Sequence, residues 1–325
     1  MLKASKVLII RLSSIGDIVL TSALVRSIYD AGYTNIDFLT KPNYEEVAKA
    51  IPQISEVLTT TNSIINTAKI LKARKYDLII DLQHKLYTVG LRFLMWQSNF
   101  YVWQKKSLQK QLFVWTKNQC FLPKENMVES YFNSINTFNI SYDRQYTDFL
   151  IDKDKILLPI NLPDKYHVWV MGATHFTKRM PISEVEKIMH SFEIPTVLIG
   201  GDDVIADAER LHKSLPKFTI NLCGKTNITT SAYIMKNAVC TYTQDTGMMH
   251  IAAALGCNIV SFWGGTSPKL GFKPLQKNGN TITCIAKENL ACRPCSKYGR
   301  SNCPKGHLEC MYLAEAYYQT FPLPK

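Results

Sequence analysis

A chain of 325 residues with 46% hydrophobic and 20% charged residues can bury a sizeable core. That excludes a disordered or fibrous protein, and at this length two domains are favoured over one. No apolar run approaches the roughly 20 residues of a membrane-crossing helix. The first apolar run is short and broken by Arg11, so no secretory leader is expected and the cytoplasm is the expected compartment.

Lys6-Val-Leu-Ile-Ile10 reads as a buried strand running into Arg11-Leu-Ser-Ser-Ile-Gly-Asp17 and a helix over 17–31. Strands are predicted at 35–40, 54–60, 76–82 and 99–103, with helices over 44–51, 63–75 and 88–97 and others near 107–117 and 125–138. This alternation implies right-handed βαβ units and a parallel sheet covered on both faces. Between 140 and 165 it lapses into polar sequence ending Pro159-Ile-Asn-Leu-Pro163, a linker that sets the domain boundary at 160. It then restarts with strand 167–171, helix 181–192, strand 196–199 and helix 202–214, whose Val204, Ala208, Leu211 and Leu215 share one face. Strand 218–222, helix 229–237, strand 238–243, a short helix after Asp245-Thr-Gly247 and strand 258–263 complete the series. The expected architecture is two doubly wound α/β domains, 1–160 and 161–307, facing a ligand-holding cleft, with a terminal helix in 308–325 packing back toward the first.

Two turns carry the candidate chemistry. In Gln244-Asp-Thr-Gly-Met-Met-His-Ile-Ala-Ala-Ala-Leu-Gly256, a strand feeds a helix through Asp-Thr-Gly. Unpaired N–H groups at the positive end of the helix dipole suit a phosphate. Gly247 lets an anion approach and Thr246 adds a hydroxyl donor, although Asp245 and Thr246 could equally cap a purely structural helix. In the first turn, Asp17 stands at the carboxyl end of a predicted parallel strand. It is either a general base or a carboxylate that merely favours the helix dipole. Neither turn has the Gly-x-Gly-x-x-Gly of a dinucleotide site or a P-loop Gly-Lys-Ser/Thr, which counts against a Rossmann oxidoreductase and NTP hydrolysis.

Net charge is +12, and residues 82–124 hold no acidic residue. That window carries Lys85, Arg92, Lys105, Lys106, Lys110, Lys117 and Lys124 interleaved with Trp96, Trp103, Trp115 and six Phe or Tyr residues. Such a tract suits an anionic membrane surface, an anionic amphiphilic substrate or single-stranded nucleic acid. The plainer alternative is a solvated basic face with its aromatics in the core.

Arg11-Leu-Ser-Ser-Ile-Gly-Asp-Ile-Val-Leu-Thr-Ser-Ala-Leu24, Asp245-Thr-Gly-Met-Met-His-Ile-Ala-Ala-Ala-Leu-Gly256 and Phe262-Trp-Gly-Gly-Thr-Ser-Pro268 together resemble the heptosyltransferase family, glycosyltransferase family nine. The resemblance implies a GT-B fold, with acceptor bound by the first Rossmann-like domain and nucleotide-sugar by the second. It also implies metal-independent, inverting transfer of a heptose, typically from ADP-heptose, to a lipopolysaccharide-core acceptor, with no cofactor required. By the same resemblance Asp17 is the catalytic base, in a turn shaped by Ser13, Ser14 and Gly16. Lys178, with Arg179 beside it in sequence as a second candidate, meets the diphosphate with the Thr246 and Gly247 N–H groups. Asp245 orients that loop, with His250 one helical turn on, and Thr266 is a further phosphate contact. Asp202, Asp203 or Asp207 could meet a ribose. The family usually has Trp where this chain has Met180. The partners implied are a nucleotide-diphosphate sugar, an anionic lipid-linked oligosaccharide and the inner membrane face, with no nucleic acid. Another sugar donor, or a nucleic-acid-binding protein with a zinc site, are the alternatives.

Cys292, Cys295, Cys303 and Cys310, near His307, have the residue types of a four-thiolate zinc site at looser spacing than a zinc ribbon. Reduced structural cysteines are the competing expectation, and disulfides are disfavoured in a reducing compartment.

Overall fold

The computed structural model describes residues 5–138, 140, 142, 146–287 and 289–313. By contacts the chain divides into two units, 1–106 with 125–150, and 107–124 with 151–325. The division therefore runs at 150 rather than at the expected 160, and 107–124 joins the second unit.

In the first unit β1 (Lys6–Ile10), β2 (Asn35–Thr40), β3 (Glu56–Thr59), β4 (Leu78–Asp81) and β5 (Phe100–Val102) form a parallel sheet in the order β3-β2-β1-β4-β5. β1 sits at its centre, with Val7 opposite both Ile36 and Leu78. Val7, Leu8, Ile9 and Ile10 are buried on both faces, as a central parallel strand requires. The helices are α1 (Ile15–Leu20), α2 (Ser22–Asp30), α3 (Glu45–Lys49), α4 (Ile64–Ala73), α5 (Leu86–Leu94) and, after the excursion into the other unit, α7 (Met127–Phe132). The helix predicted over 17–31 is thus two helices. They meet at Thr21, whose hydroxyl donates back to Ile18 O at 2.7 Å and competes with the regular ladder.

In the second unit β6 (His167–Val170), β7 (Thr196–Ile199), β8 (Thr219–Asn221), β9 (Cys240–Gln244), β10 (Ile259–Phe262) and β11 (Thr281–Cys284) pair in parallel in the order β11-β10-β9-β6-β7-β8. The edge strand β11 was not among the predicted elements. Its helices are α6 (Ser107–Thr116), α8 (Ile182–Met189), α9 (Ile205–Ser214), α10 (Ile228–Lys236) and α11 (Gly247–Ala254). Asn227 starts α10 by accepting the Thr230 N–H at 2.7 Å. Trp169, stacked on Tyr242 and Phe262 at 5.6 and 5.5 Å between centroids, fixes the sheet centre. α6 packs Phe113 and Val114 on Leu270 and Phe272, which accounts for its place in this unit.

The expected terminal helix over 308–320 begins as a three-residue turn, Glu309–Met311, and its remainder from 314 lies outside the described residues. No helix among the described residues is long and apolar enough to cross a membrane. The basic–aromatic tract is not one surface. Trp103 and Phe113 are core residues, Lys106 pairs with Glu125 at 2.6 Å, and Lys110 is buried with its ammonium 4.5 Å from the Phe272 ring centroid.

Candidate active site

In both sheets the chain leaves the central strand toward one side and returns to its other side. The carboxyl ends of β1 and β4, and of β6 and β9, are therefore the topological switch points where open α/β sheets bind ligands.

At the first switch point Ser14 caps α1 in an extended conformation. Its N–H and hydroxyl donate to Asp17 Oδ2 at 3.2 and 3.1 Å. Arg11, at the end of β1, brings Nη2 to the same oxygen at 2.7 Å. The guanidinium is anchored by Nε to Ser13 O at 2.8 Å and by Nη1 to Leu82 O, and it lies over the rings of Trp103 and Tyr131. Desolvation pushes the Asp17 carboxyl up, but the Arg11 charge and hydrogen bond, with the Ser14 bonds, outweigh it and hold the group below its ordinary range. The Asp17 side chain is 21% exposed, so it is both ionised and reachable. Gly16 is buried in α1, and Ser13 contributes its carbonyl. After β4, Asp81 Oδ1 accepts the N–H groups of Gln83 and His84, each at 2.9 Å, and Gln83 Oε1 accepts the Leu12 N–H at 3.1 Å. Lys105 donates to His84 O at 3.2 Å. Burial, then the neighbouring charges of Arg11 and Lys85, lower Lys105 to about 8.

At the second switch point three loops meet on one carboxylate. Lys178 closes a turn after β6 and places Nζ 2.8 Å from Asp245 Oδ2, while also donating to Asp245 O at 3.1 Å. Thr266, in the turn after β10, donates to Asp245 Oδ2 at 2.7 Å. Asp245 follows β9 and is buried. Thr246 caps α11, its hydroxyl accepting the Met249 N–H at 3.4 Å, so the N–H groups of Gly247 and Met248 form the helix mouth. His250 is buried within α11. Gly265 is required by close approach, because a Cβ there would lie 2.9 Å from Cys295 Sγ and Thr177 Cβ. Arg179 stands apart from the lysine, with Nη2 2.5 Å from Asp203 Oδ2 and Nε donating to Ala173 O at 2.7 Å. Asp207 is exposed in the first turn of α9. Met180 is a buried core residue.

Thus Lys178, Asp245, Thr246, Gly247 and Thr266 are brought together, and Arg179 with Asp203 forms a second pair. Sequence reasoning did not assign Arg11 or His175, and placed Lys105 only in the basic–aromatic tract. Arg11 was detectable as a cation ending a buried strand six residues before Asp17. His175 lies where burial and the Lys178 charge lower its imidazole while Asp245 pulls the other way. Nothing local in the sequence signals that.

The zinc expectation is not met in geometry. Cys292, Cys295, Cys303 and Cys310 line one cavity with His307, but among the described residues no three His, Cys, Asp or Glu side chains are grouped to hold a metal ion. The four sulfurs are near enough to influence one another, but each also has other partners. Cys292 Sγ is 3.8 Å from His307 Nε2, Cys295 donates to Gly265 O at 3.5 Å, and Cys310 is packed with Leu308 and Met311. Burial raises Cys310 to about 11. At Cys303 burial also raises the thiol, but backbone N–H groups from Lys305 to Leu308 outweigh it and lower the group. All nine cysteines are free thiols.

Two parallel doubly wound sheets of five and six strands, each with a polar cluster at its switch point, define a protein of GT-B fold. A glycosyltransferase family 9 structure from Veillonella parvula DSM 2008 superposes with a TM-score of 0.75 at 17% identity, covering 89% of both chains. E. coli ADP-heptose lps heptosyltransferase II superposes with a TM-score of 0.71 at 16% identity, covering 89% of this chain and 96% of the other. Lipooligosaccharide heptosyltransferase 2 of Haemophilus influenzae is 34% identical over 91 residues, 28% of this chain and 26% of that protein. The chain's match thus spans about a quarter of that relative. Residues 64–305 match the model of glycosyltransferase family 9 (heptosyltransferase), and the chain belongs to that family.

Proposed function

We propose that this chain is a metal-independent inverting heptosyltransferase that moves heptose from ADP-heptose to a hydroxyl of a lipopolysaccharide-core-type acceptor at the inner membrane face. The observation that carries this reading is the ionised, partly exposed Asp17 at one switch point, with a cation and helix mouth at the other. The first unit supplies the acceptor site and the second unit the donor site.

Asp17 Oδ2 takes the bonds from Arg11 and Ser14, so Oδ1 is the oxygen that receives the acceptor's proton. As that proton leaves, the acceptor oxygen attacks the anomeric carbon from the face opposite the diphosphate. The carbon–oxygen bond to the diphosphate breaks, inverting the centre in one displacement with no covalent enzyme intermediate. Negative charge builds on the departing diphosphate. Lys178 and the helix-mouth N–H groups stabilise it, and such preformed groups need little reorganisation at the moment of reaction, whereas Arg179 would have to leave Asp203 to join them. Asp245 and Thr266 hold Lys178 and the β10 turn in register, and buried His250 supports α11 from within. Asp203 and Asp207 offer carboxylates to ribose hydroxyls. Lys105, beside Arg11, meets an acceptor phosphate.

The test is incubation with ADP-heptose and a lipid A–sugar acceptor, following ADP release and the anomeric configuration of the product by NMR, with and without EDTA. An inverted linkage formed at unchanged rate in EDTA is expected. A retained configuration or an absolute metal requirement overturns the proposal.

A further inference from the structure

α5 is apolar on two faces. Thr88, Leu91 and Met95 face the core, as an amphipathic helix requires. Leu86, Val89 and Phe93, at i, i+3 and i+7, form a second stripe that is 90%, 38% and 81% exposed, and Trp96, in the turn that follows the helix, is 75% exposed. Exposing an aromatic pair and a leucine in one row is costly in water, and such a patch marks a contact surface. The neighbouring helix α4 adds exposed Ile65 and Ile70.

The surface is preformed. Gly90 lets Ile64 approach so closely that a Cβ there would lie 2.7 Å from Ile64 Cδ1, and Thr67 and Tyr87 share a hydroxyl–hydroxyl bond at 2.9 Å. Where α4 and α5 end, a cavity of about 260 Å³ opens, its lining including Lys72, Lys75, Tyr76, Trp96, Gln97 and Ser98. Exposed Lys69, Lys72, Lys75 and Lys85, with half-buried Arg92, surround the stripe, and there is no acidic residue in 57–76 or 82–124.

We propose that the α4–α5 face docks on an anionic phospholipid bilayer, with Leu86, Phe93 and Trp96 entering the acyl–headgroup boundary and Lys72 and Lys75 meeting lipid phosphates beside Trp96. Charge complementarity selects this occupant, since five cations on or beside helices that carry no acidic residue attract an anionic surface and repel a second basic face such as another copy of this +12 chain. Apolar side chains projecting from a convex helix also suit a deformable medium rather than a nucleic acid or a shaped pocket. The combination of Leu, Phe and Trp with flanking basic residues is that of an interfacial helix. Nine residues lie in the interface and do not span it. This proposal rests on the lipid-carried acceptor for its purpose, but its physics is separate from sugar transfer.

The test is flotation of the full chain with vesicles of phosphatidylcholine alone and of phosphatidylcholine with phosphatidylglycerol. Binding to the anionic vesicles, weakened by salt, is expected. Phe93→Ser and Trp96→Ser each lower partitioning about tenfold. Lys72→Gln and Lys75→Gln each lower it about fivefold on anionic vesicles and leave the weak phosphatidylcholine binding unchanged. All four positions are exposed, so thermal midpoints stay near wild type and the variants remain informative. Turnover with a lipid-free acceptor fragment is unaffected, whereas turnover on vesicle-borne acceptor falls with binding. Equal partitioning of wild type and the Phe93→Ser/Trp96→Ser pair overturns the proposal. So does a wild-type dimer that the pair converts to monomer without any vesicle binding, which assigns the face to a second copy. Vesicle binding without sugar transfer removes the functional proposal and leaves this surface standing. Sugar transfer by a wild-type chain that binds neither kind of vesicle does the reverse.

Discussion

Replacing Asp17 by Asn separates shape from basicity. Asn is isosteric, and its carbonyl can still accept the Ser14 N–H that now bonds Oδ2 at 3.2 Å. What disappears is the charge facing Arg11 at 2.7 Å and the capacity to take a proton. Removing one partner of a fully buried ion pair costs 3–5 kcal/mol. Here the carboxylate is 21% exposed and Arg11 keeps its bonds to Ser13 O and Leu82 O, so the loss is about 1–2 kcal/mol. That corresponds to a fall in thermal midpoint of about 2–8 °C, which leaves the protein folded. Loss of a general base lowers turnover by about 10²–10⁴-fold. Donor affinity, which depends on the Lys178–Asp245–Thr266 cluster, should stay within about twofold of wild type. A continuous ADP-release assay with titration calorimetry of the donor measures both. Turnover within tenfold of wild type, or donor affinity falling as steeply as turnover, would refute Asp17 as the base. The linkage has a definite sign. Asp17 is held below its ordinary range, so the stability it contributes is present above that range and lost as pH falls through its folded value. The stability gap between wild type and Asp17→Asn should therefore close only in strong acid, as seen in urea titrations across pH.

Lys178→Met removes the cation proposed to face the diphosphate, and turnover should fall about 10²–10³-fold by the same ADP-release assay. A fall below threefold would show that the lysine only braces Asp245. Thr266→Val strands one bond on a buried carboxylate, for an expected loss of about 1–3 kcal/mol in urea denaturation. Lys105 titrates at about 8, so catalytic efficiency with a phosphorylated acceptor should decline above that pH, and Lys105→Arg should abolish the decline. With iodoacetamide near pH 7.5, Cys303 should be alkylated well before Cys310, which burial raises to about 11. Peptide mass spectrometry reads the order, and equal rates would contradict the assigned environments.

The two sheets were legible because buried parallel strands such as Val7–Ile10 and Val197–Ile199 are continuous apolar runs between amphipathic helices. β11 escaped detection because Thr281–Cys284 is a short edge strand beside the polar Lys277-Asn-Gly-Asn280. The break at Thr21 was missed because the apolar period runs through it. The hydroxyls of Thr21 and Ser22, both donating back to α1 carbonyls, mark the interruption of the ladder. At the site, Asp17 and the Asp245-Thr-Gly247 turn announced themselves through local strand–turn–helix grammar. That Lys178 and Thr266 both converge on Asp245 spans 67 and 21 residues, and no periodicity encodes such pairings. The same limit hid the partnership of α6, which is set by packing on Leu270 and Phe272.

That partnership shapes the order of events on the ribosome. α6 leaves the exit tunnel roughly 150 residues before Leu270 and Phe272, which at about 5–20 residues per second means about 8–30 s. Throughout that interval Phe113 and Val114 lack their native cover, so a nascent chain stalled before residue 270 should recruit holdase chaperones. A chain truncated after residue 150 should aggregate through this orphaned helix, and deleting 107–124 from the truncated form should relieve it.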